Sequence, residues 1–169
     1  RSLSNLLKHM AKGYNHKIPL AEEISLLQDY IGITSIRYMD TFEFVNDINP
    51  ALYKYSIIKL TLQPLVENAI FHGIEPTGRF GTIRLYAQEK GDDLLITVED
   101  DGQGMDQAAI QRALHSRMQH SHGSMNGIGV SNVNERLRLV YGAPYGLSID
   151  ARPGQYTRMT VRIPKEEAN

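Results

Sequence analysis

The sequence predicts an α+β domain: a two-layer sandwich of one mixed, mainly antiparallel sheet with helices on one face. Three observations predict it. Apolar residues at helical spacing dominate the first part of the chain, two pairs of alternating segments joined by Gly-containing turns lie further on, and a helix ended by Gly142 stands between those pairs. At 169 residues the chain has the size of one domain and can bury a core.

The elements follow in chain order. Leu3, Leu6, Leu7 and Met10 share one face of a helix over 1–12. With Arg in first place and that helix already under way, the chain reads as a piece of something longer. Asn15 and Pro19 interrupt it. Leu20, Ile24, Leu27, Ile31 and Tyr38 then form a heptad-like stripe, widened by Leu26, Tyr30 and Ile33, which predicts a second helix. Thr41–Asp47 alternates as a strand does. Ile57–Ile74 reads as one buried helix with Pro64 in its first turns. Gly81–Glu89 and Leu94–Glu99 flank a Lys-Gly-Asp-Asp turn and predict a hairpin. Residues 106–117 are weakly helical, and 118–127 are rich in His, Ser, Gly and Met. Asn132–Tyr141 is a helix with Val133, Leu137 and Val140 on one face, ended by Gly142. Tyr145–Ala151 and Thr157–Ile163 make a second hairpin around Arg152-Pro153-Gly154-Gln155.

Composition excludes several functions. Eighteen Lys and Arg against 19 Asp and Glu leave a net charge of −1, without the basic excess of a nucleic-acid binder. The absence of Cys excludes disulfides, Cys-based zinc sites and thiol catalysis. No run approaches the roughly 20 apolar residues of a membrane span. Gly73-x4-Gly78 is followed by Arg79-Phe80 where a phosphate loop needs Lys-Ser or Lys-Thr.

Four segments carry candidate chemistry. In 62–74 (LQPLVENAIFHGI), a helix puts Asn68 and His72 on one face, with Glu67 and Phe71 on the neighbouring stripe. A carboxylate, a carboxamide and an imidazole thus project from an otherwise apolar helix, and an amide oxygen suits Mg²⁺. The bland alternative is a solvated helix face. Asp100-Asp101-Gly102-Gln103-Gly104 follows a strand. Its carboxylate can accept from an exocyclic amine, and its glycines let backbone approach a ligand; an ordinary turn explains the same residues. Gly127-Ile128-Gly129-Val130-Ser131-Asn132 opens a helix, where free N–H groups attract anions or where Ser131 or Asn132 simply caps. Finally, Gly154–Thr157 is a tight turn whose hydroxyl has phosphate within reach, or a plain hairpin.

In this order the four segments resemble the ATP-binding catalytic domain of sensor histidine kinases, in the superfamily shared with gyrase, heat-shock chaperones and MutL. ENAIFHG resembles the N box, Asp100-x-Gly102-x-Gly104 the first glycine box, and Gly127-x-Gly129 with Asn132 and Glu135-Arg136-Leu137 the second. The closing turn departs from the family, with Gln155-Tyr156 where Gly-Thr is preferred. Upstream, PLAEEISLLQDYIGITSIRY is similar to the linker segment of the LytS/YesM-like subfamily.

The resemblance implies a Bergerat-type ATP fold, with 1–40 as the helical end of a dimerisation and phosphoacceptor region or linker and 41–169 as the catalytic domain. It implies that Asn68 coordinates Mg²⁺, Glu67 orients or deprotonates the attacking group, and His72 contacts phosphate. It implies that Asp100 binds the adenine amine with Gly102 and Gly104 permitting the approach. Gly127, Gly129, Asn132 and Thr157 complete the ATP site, and 105–126 form a lid. ATP and Mg²⁺ are the implied cofactors. A response regulator is the implied partner, with a homodimer formed upstream, no nucleic acid, and membrane attachment only through a missing N-terminal part.

None of the six histidines stands in the Pro-His-Phe context of the family's acceptor, so the acceptor is expected outside this chain. His115, His120 and His122 read as polar lid residues. Other readings are a stand-alone ATPase or serine kinase of the same superfamily, or a nucleotide-binding module without transfer.

Overall fold

A computed structural model describes residues 16–115 and 128–169. The expected helix over 1–12, Gly127, His120, His122 and residues 116–126 of the expected lid lie outside the described residues.

Strand β1 (Lys17–Pro19) leads directly into helix α1 (Leu20–Arg37). β2 (Phe42–Asn46) follows, then a 3-10 turn at Pro50–Leu52 and β3 (Ser56–Ile58). Helix α2 (Gln63–Asn68) continues without a break as a π-helical stretch, Ala69–Ile74. β4 (Gly81–Lys90) and β5 (Asp93–Asp100) form the first hairpin. Helices α3 (Gln107–His115) and α4 (Ile128–Tyr141) precede the second hairpin, β6 (Gly146–Arg152) and β7 (Tyr156–Pro164).

The main sheet runs β2-β4-β5-β7-β6. Among the described residues only β2 pairs in parallel, with β4. β1 and β3 form a separate antiparallel pair. Period-2 patterning divides the two faces of the main sheet. Ile83 and Leu85, Leu94, Ile96 and Val98, and Met159, Val161 and Ile163 are buried on one face with α2 and α4. The other face carries polar pairs: Arg158 with Glu99 and Asp150, Arg162 with Asp93, and Thr97 Oγ1 with Thr160 Oγ1 at 2.9 Å. This is the expected α+β sandwich.

Two expectations need correction. Ile57–Ile74 is not one helix. Its first residues pair as β3 with β1, and Leu60 adopts φ 61, a left-handed conformation that a helix cannot pass through. The helix begins only at Gln63, with Pro64 in the first turn, where a missing N–H costs nothing. Helix α4 is already helical at Ile128, the first described residue there, so neither Ser131 nor Asn132 is its cap. A division at residue 40 falls in the turn between α1 and β2, yet Leu20, Ile24 and Leu27 of α1 lie in the same core as Leu62, Leu65 and Val66.

Candidate active site

The site is built where the α2 and π segment, the loop after β5 and the β6–β7 turn meet. Gln103 joins all three. Its N–H donates to Gly73 O (2.8 Å), its side-chain amide donates to His72 O (2.7 Å), and its carbonyl accepts from Gly154 N–H (2.6 Å). Three of the four candidate segments are therefore bonded to one another through the residue between the two box glycines. The fourth reaches the same assembly through α4, where a side chain at Gly129 would sit 3.4 Å from Pro64 Cβ.

The glycines of this loop are needed first for packing. A Cβ at Gly102 would overlap the Gly73 carbonyl, and one at Gly104 (φ 68) would overlap the Arg152 carbonyl oxygen. The space left by their missing side chains is taken by the protein's own backbone. Gly73 plays the matching part: a Cβ there would strike the Asp100 carboxylate.

Asp100 is only 2% exposed. Its Oδ1 accepts from the Gly102 N–H at 2.9 Å. Burial pushes its carboxyl up to about 7, against the smaller opposing pull of that hydrogen bond. Thr157 is equally buried and directly opposite Asp100 in the β5–β7 register. Opposed side chains of paired strands share a face. Thr157 thus stands in a strand, its side chain on the same face as that of Asp100, and not in the turn from which its hydroxyl was expected to reach phosphate.

Along the N box the helix widens. Asn68 ends α2 and the π-helical stretch begins at Ala69, closing with the Glu75 N–H on Ile70 O five residues back, so a regular α-helical register does not carry through from Asn68 to His72. Such π segments recur at functional sites. Asn68 is buried, and Glu67 is half-buried and accepts from Gln63 Nε2 at 3.1 Å. The Tyr30 phenol of α1 is pushed up by burial and next by the Glu67 carboxylate. His72 Nε2 is buried and has no hydrogen-bond partner among the described residues. A buried polar atom left without a partner is costly unless a ligand satisfies it, so its presence fits a polar ligand at this helix. Asn132 is exposed on α4, while its neighbour Asn134 is buried and accepts from Leu147 N–H at 3.0 Å.

The sequence reading passed over Gly73 and Gln103. Gly73 carried a signal, because glycine inside a helix weakens it and calls for a packing reason. Gln103 carried none; its three bonds exist only in the folded chain.

Known proteins resemble this chain closely. The sensor histidine kinase YesM of Bacillus subtilis is 36% identical over 163 residues, 96% of this chain and 26% of that protein. The sensor histidine kinase BtsS of Escherichia coli is 30% identical over 167 residues, 98% of this chain and 27% of that protein. The chain thus spans about a quarter of the length of these relatives. The catalytic domain of the histidine kinase ThkA superposes with a TM-score of 0.67 over 89% of this chain and 95% of that one, at 16% identity, a likeness of fold. The family described as histidine kinase-, DNA gyrase B- and HSP90-like ATPase matches residues 54–167, more than half of the chain, and this chain belongs to it.

Proposed function

We propose that this domain binds ATP with Mg²⁺ and transfers the γ-phosphoryl group to a histidine outside this chain, from which a response-regulator aspartate receives it. The observation that carries this reading is the Gln103 bridge. It holds the segment with Glu67, Asn68 and His72 against the loop that presents Asp100.

In this reading Asp100 accepts a hydrogen bond from the exocyclic amine of adenine, with Thr157 beside it. Asn68 holds Mg²⁺ through its carboxamide oxygen. This amide oxygen is of the hard kind that suits Mg²⁺. When bound, Mg²⁺ neutralises charge on the phosphates. His72 Nε2 meets a phosphate oxygen. Gly129 and Asn132 line the triphosphate with Gly127, Gly102 and Gly104 shape the loop under the base, and 105–126 close over it. An imidazole nitrogen attacks the γ-phosphorus, the bond to the bridging oxygen breaks, and ADP leaves; Glu67 orients the imidazole and takes its proton. Most of the acceleration comes from positioning. A homodimer formed through the upstream helical region brings the acceptor to the site, and attachment to a membrane belongs to that part too.

The test is incubation with γ-labelled ATP, with and without the upstream segment supplied as a separate piece. Acid-labile label is expected on the added segment only, and Asn68→Ala should abolish it. Stoichiometric acid-labile phosphate on His9 or His16 of this chain alone would overturn the placement of the acceptor.

A further inference from the structure

Helix α1 carries a charged residue that the reaction above leaves unused. Glu23 is 2% exposed, rare for a carboxylate. Its Oε1 accepts from the N–H groups of Thr61 (2.9 Å) and Leu62 (3.0 Å), and its Oε2 from that of Leu60 (3.0 Å). Three successive N–H groups converge in this way only because Leu60 is held left-handed, a conformation that a branched side chain resists. The carbonyls of the same turn face another element. Arg136 of α4 donates to Lys59 O (2.7 Å) and Leu60 O (3.4 Å). The turn is therefore clamped by an anion from α1 on its donor side and a cation from α4 on its acceptor side.

This turn launches the N box. Leu65 and Val66 N–H both donate to Leu62 O at 3.1 Å, so the first turn of α2 is tied to a residue that Glu23 holds. Glu67 and Asn68 follow in the same rigid stretch. Just past the end of α1, Tyr38 meets Phe71 edge to face, with ring centroids 5.4 Å apart.

We propose that Glu23 is a positioning residue for the nucleotide site, its carboxylate setting through the turn at 60–62 where Glu67 and Asn68 stand. The proposal rests on the ATP-site reading above. Any displacement of α1 is then delivered to Glu67 and Asn68.

Two measurements test it. The first is binding of ADP with Mg²⁺ to this chain by calorimetry, for the unaltered protein, Glu23→Gln and Val161→Ala. Glu23→Gln keeps the oxygen facing Thr61 and Leu62 but sets an NH₂ against the Leu60 N–H. Affinity should fall roughly tenfold. Val161→Ala, in the sheet core away from the turn, should lower stability and leave affinity unchanged. The second needs no variant. Amide exchange at Leu60, Thr61 and Leu62 should slow when nucleotide binds, because coupling between turn and site is reciprocal. Unchanged affinity in Glu23→Gln, or unchanged exchange at saturating nucleotide, would make Glu23 a structural cap and overturn the proposal. No binding by the unaltered chain would overturn the ATP-site reading and the proposal together, so the two failures are distinguishable.

Discussion

Asp100 and Glu99 are neighbours on β5 and point to opposite faces of one sheet. Asp100 faces the candidate site, buried, with one backbone N–H and, among the described residues, no cation as partner. Glu99 faces outward, its side chain 27% exposed, and pairs with Arg158, whose side chain is 42% exposed. The same functional group one residue apart thus has two chemistries, because only one face is dry. Charge is costly and informative on the site face. On the outer face it is solvated and contributes little.

Substitutions at glycine should separate the two settings most strongly. Gly104→Ala meets both a left-handed backbone and the Arg152 carbonyl, and should cost roughly 2–5 kcal/mol in denaturant unfolding and remove nucleotide binding. Gly91, in the outer hairpin turn, has φ 59 as well but nothing within 4 Å. Gly91→Ala should cost only about 1–2 kcal/mol, for the backbone alone. Equal costs at the two positions would show that crowding around Gly104 contributes nothing.

Asp100→Asn sharpens the contrast through pH. The folded carboxyl titrates near 7 against an ordinary value of 3.8, so without nucleotide the folded state holds its proton more tightly than the unfolded chain. Stability then falls as pH rises from about 4 to 7 and stays low above it. Asn removes that fall, which amounts to about 4 kcal/mol at its full extent. The variant should therefore be more stable than the parent above pH 7 in thermal unfolding, with little difference at pH 4. It should also bind adenine nucleotide more weakly by about 1.5–3 kcal/mol, the cost of a charge-assisted hydrogen bond. Binding to the parent should release a proton near neutrality, seen by calorimetry in buffers of different ionisation enthalpy. Affinity for ADP unchanged in Asp100→Asn would remove Asp100 from adenine recognition.

The smallest effect is expected on the outer face. Arg158→Ala should cost less than about 1 kcal/mol, diminish further in salt, and leave nucleotide affinity untouched.

Local pattern was enough for the hairpins, for α1 and for the core of α4. Gly91 and Gly154 mark turns, Gly142 ends α4, and the apolar spacing of Leu20, Ile24 and Leu27 marks the buried stripe. Local pattern misled at Ile57, where an apolar run fits a strand as well as a helix. Pairing of β3 with β1, 37 to 41 positions earlier in the chain, decides between them.

The order of the boxes, the residue types within them and the helical and alternating periods were determined by the sequence by itself, because each depends on neighbours within a few positions. Only the tertiary structure decided which distant groups complete the site. It set Thr157 opposite Asp100, fitted Gly102 against Gly73, brought Gln103 to three segments, and buried Glu23 in a turn that Arg136 holds from the other side. The physical reason is the same in each case. A backbone N–H, a carbonyl or an absent Cβ has no identity in the one-dimensional code, and its partner is chosen only when strands register and helices dock.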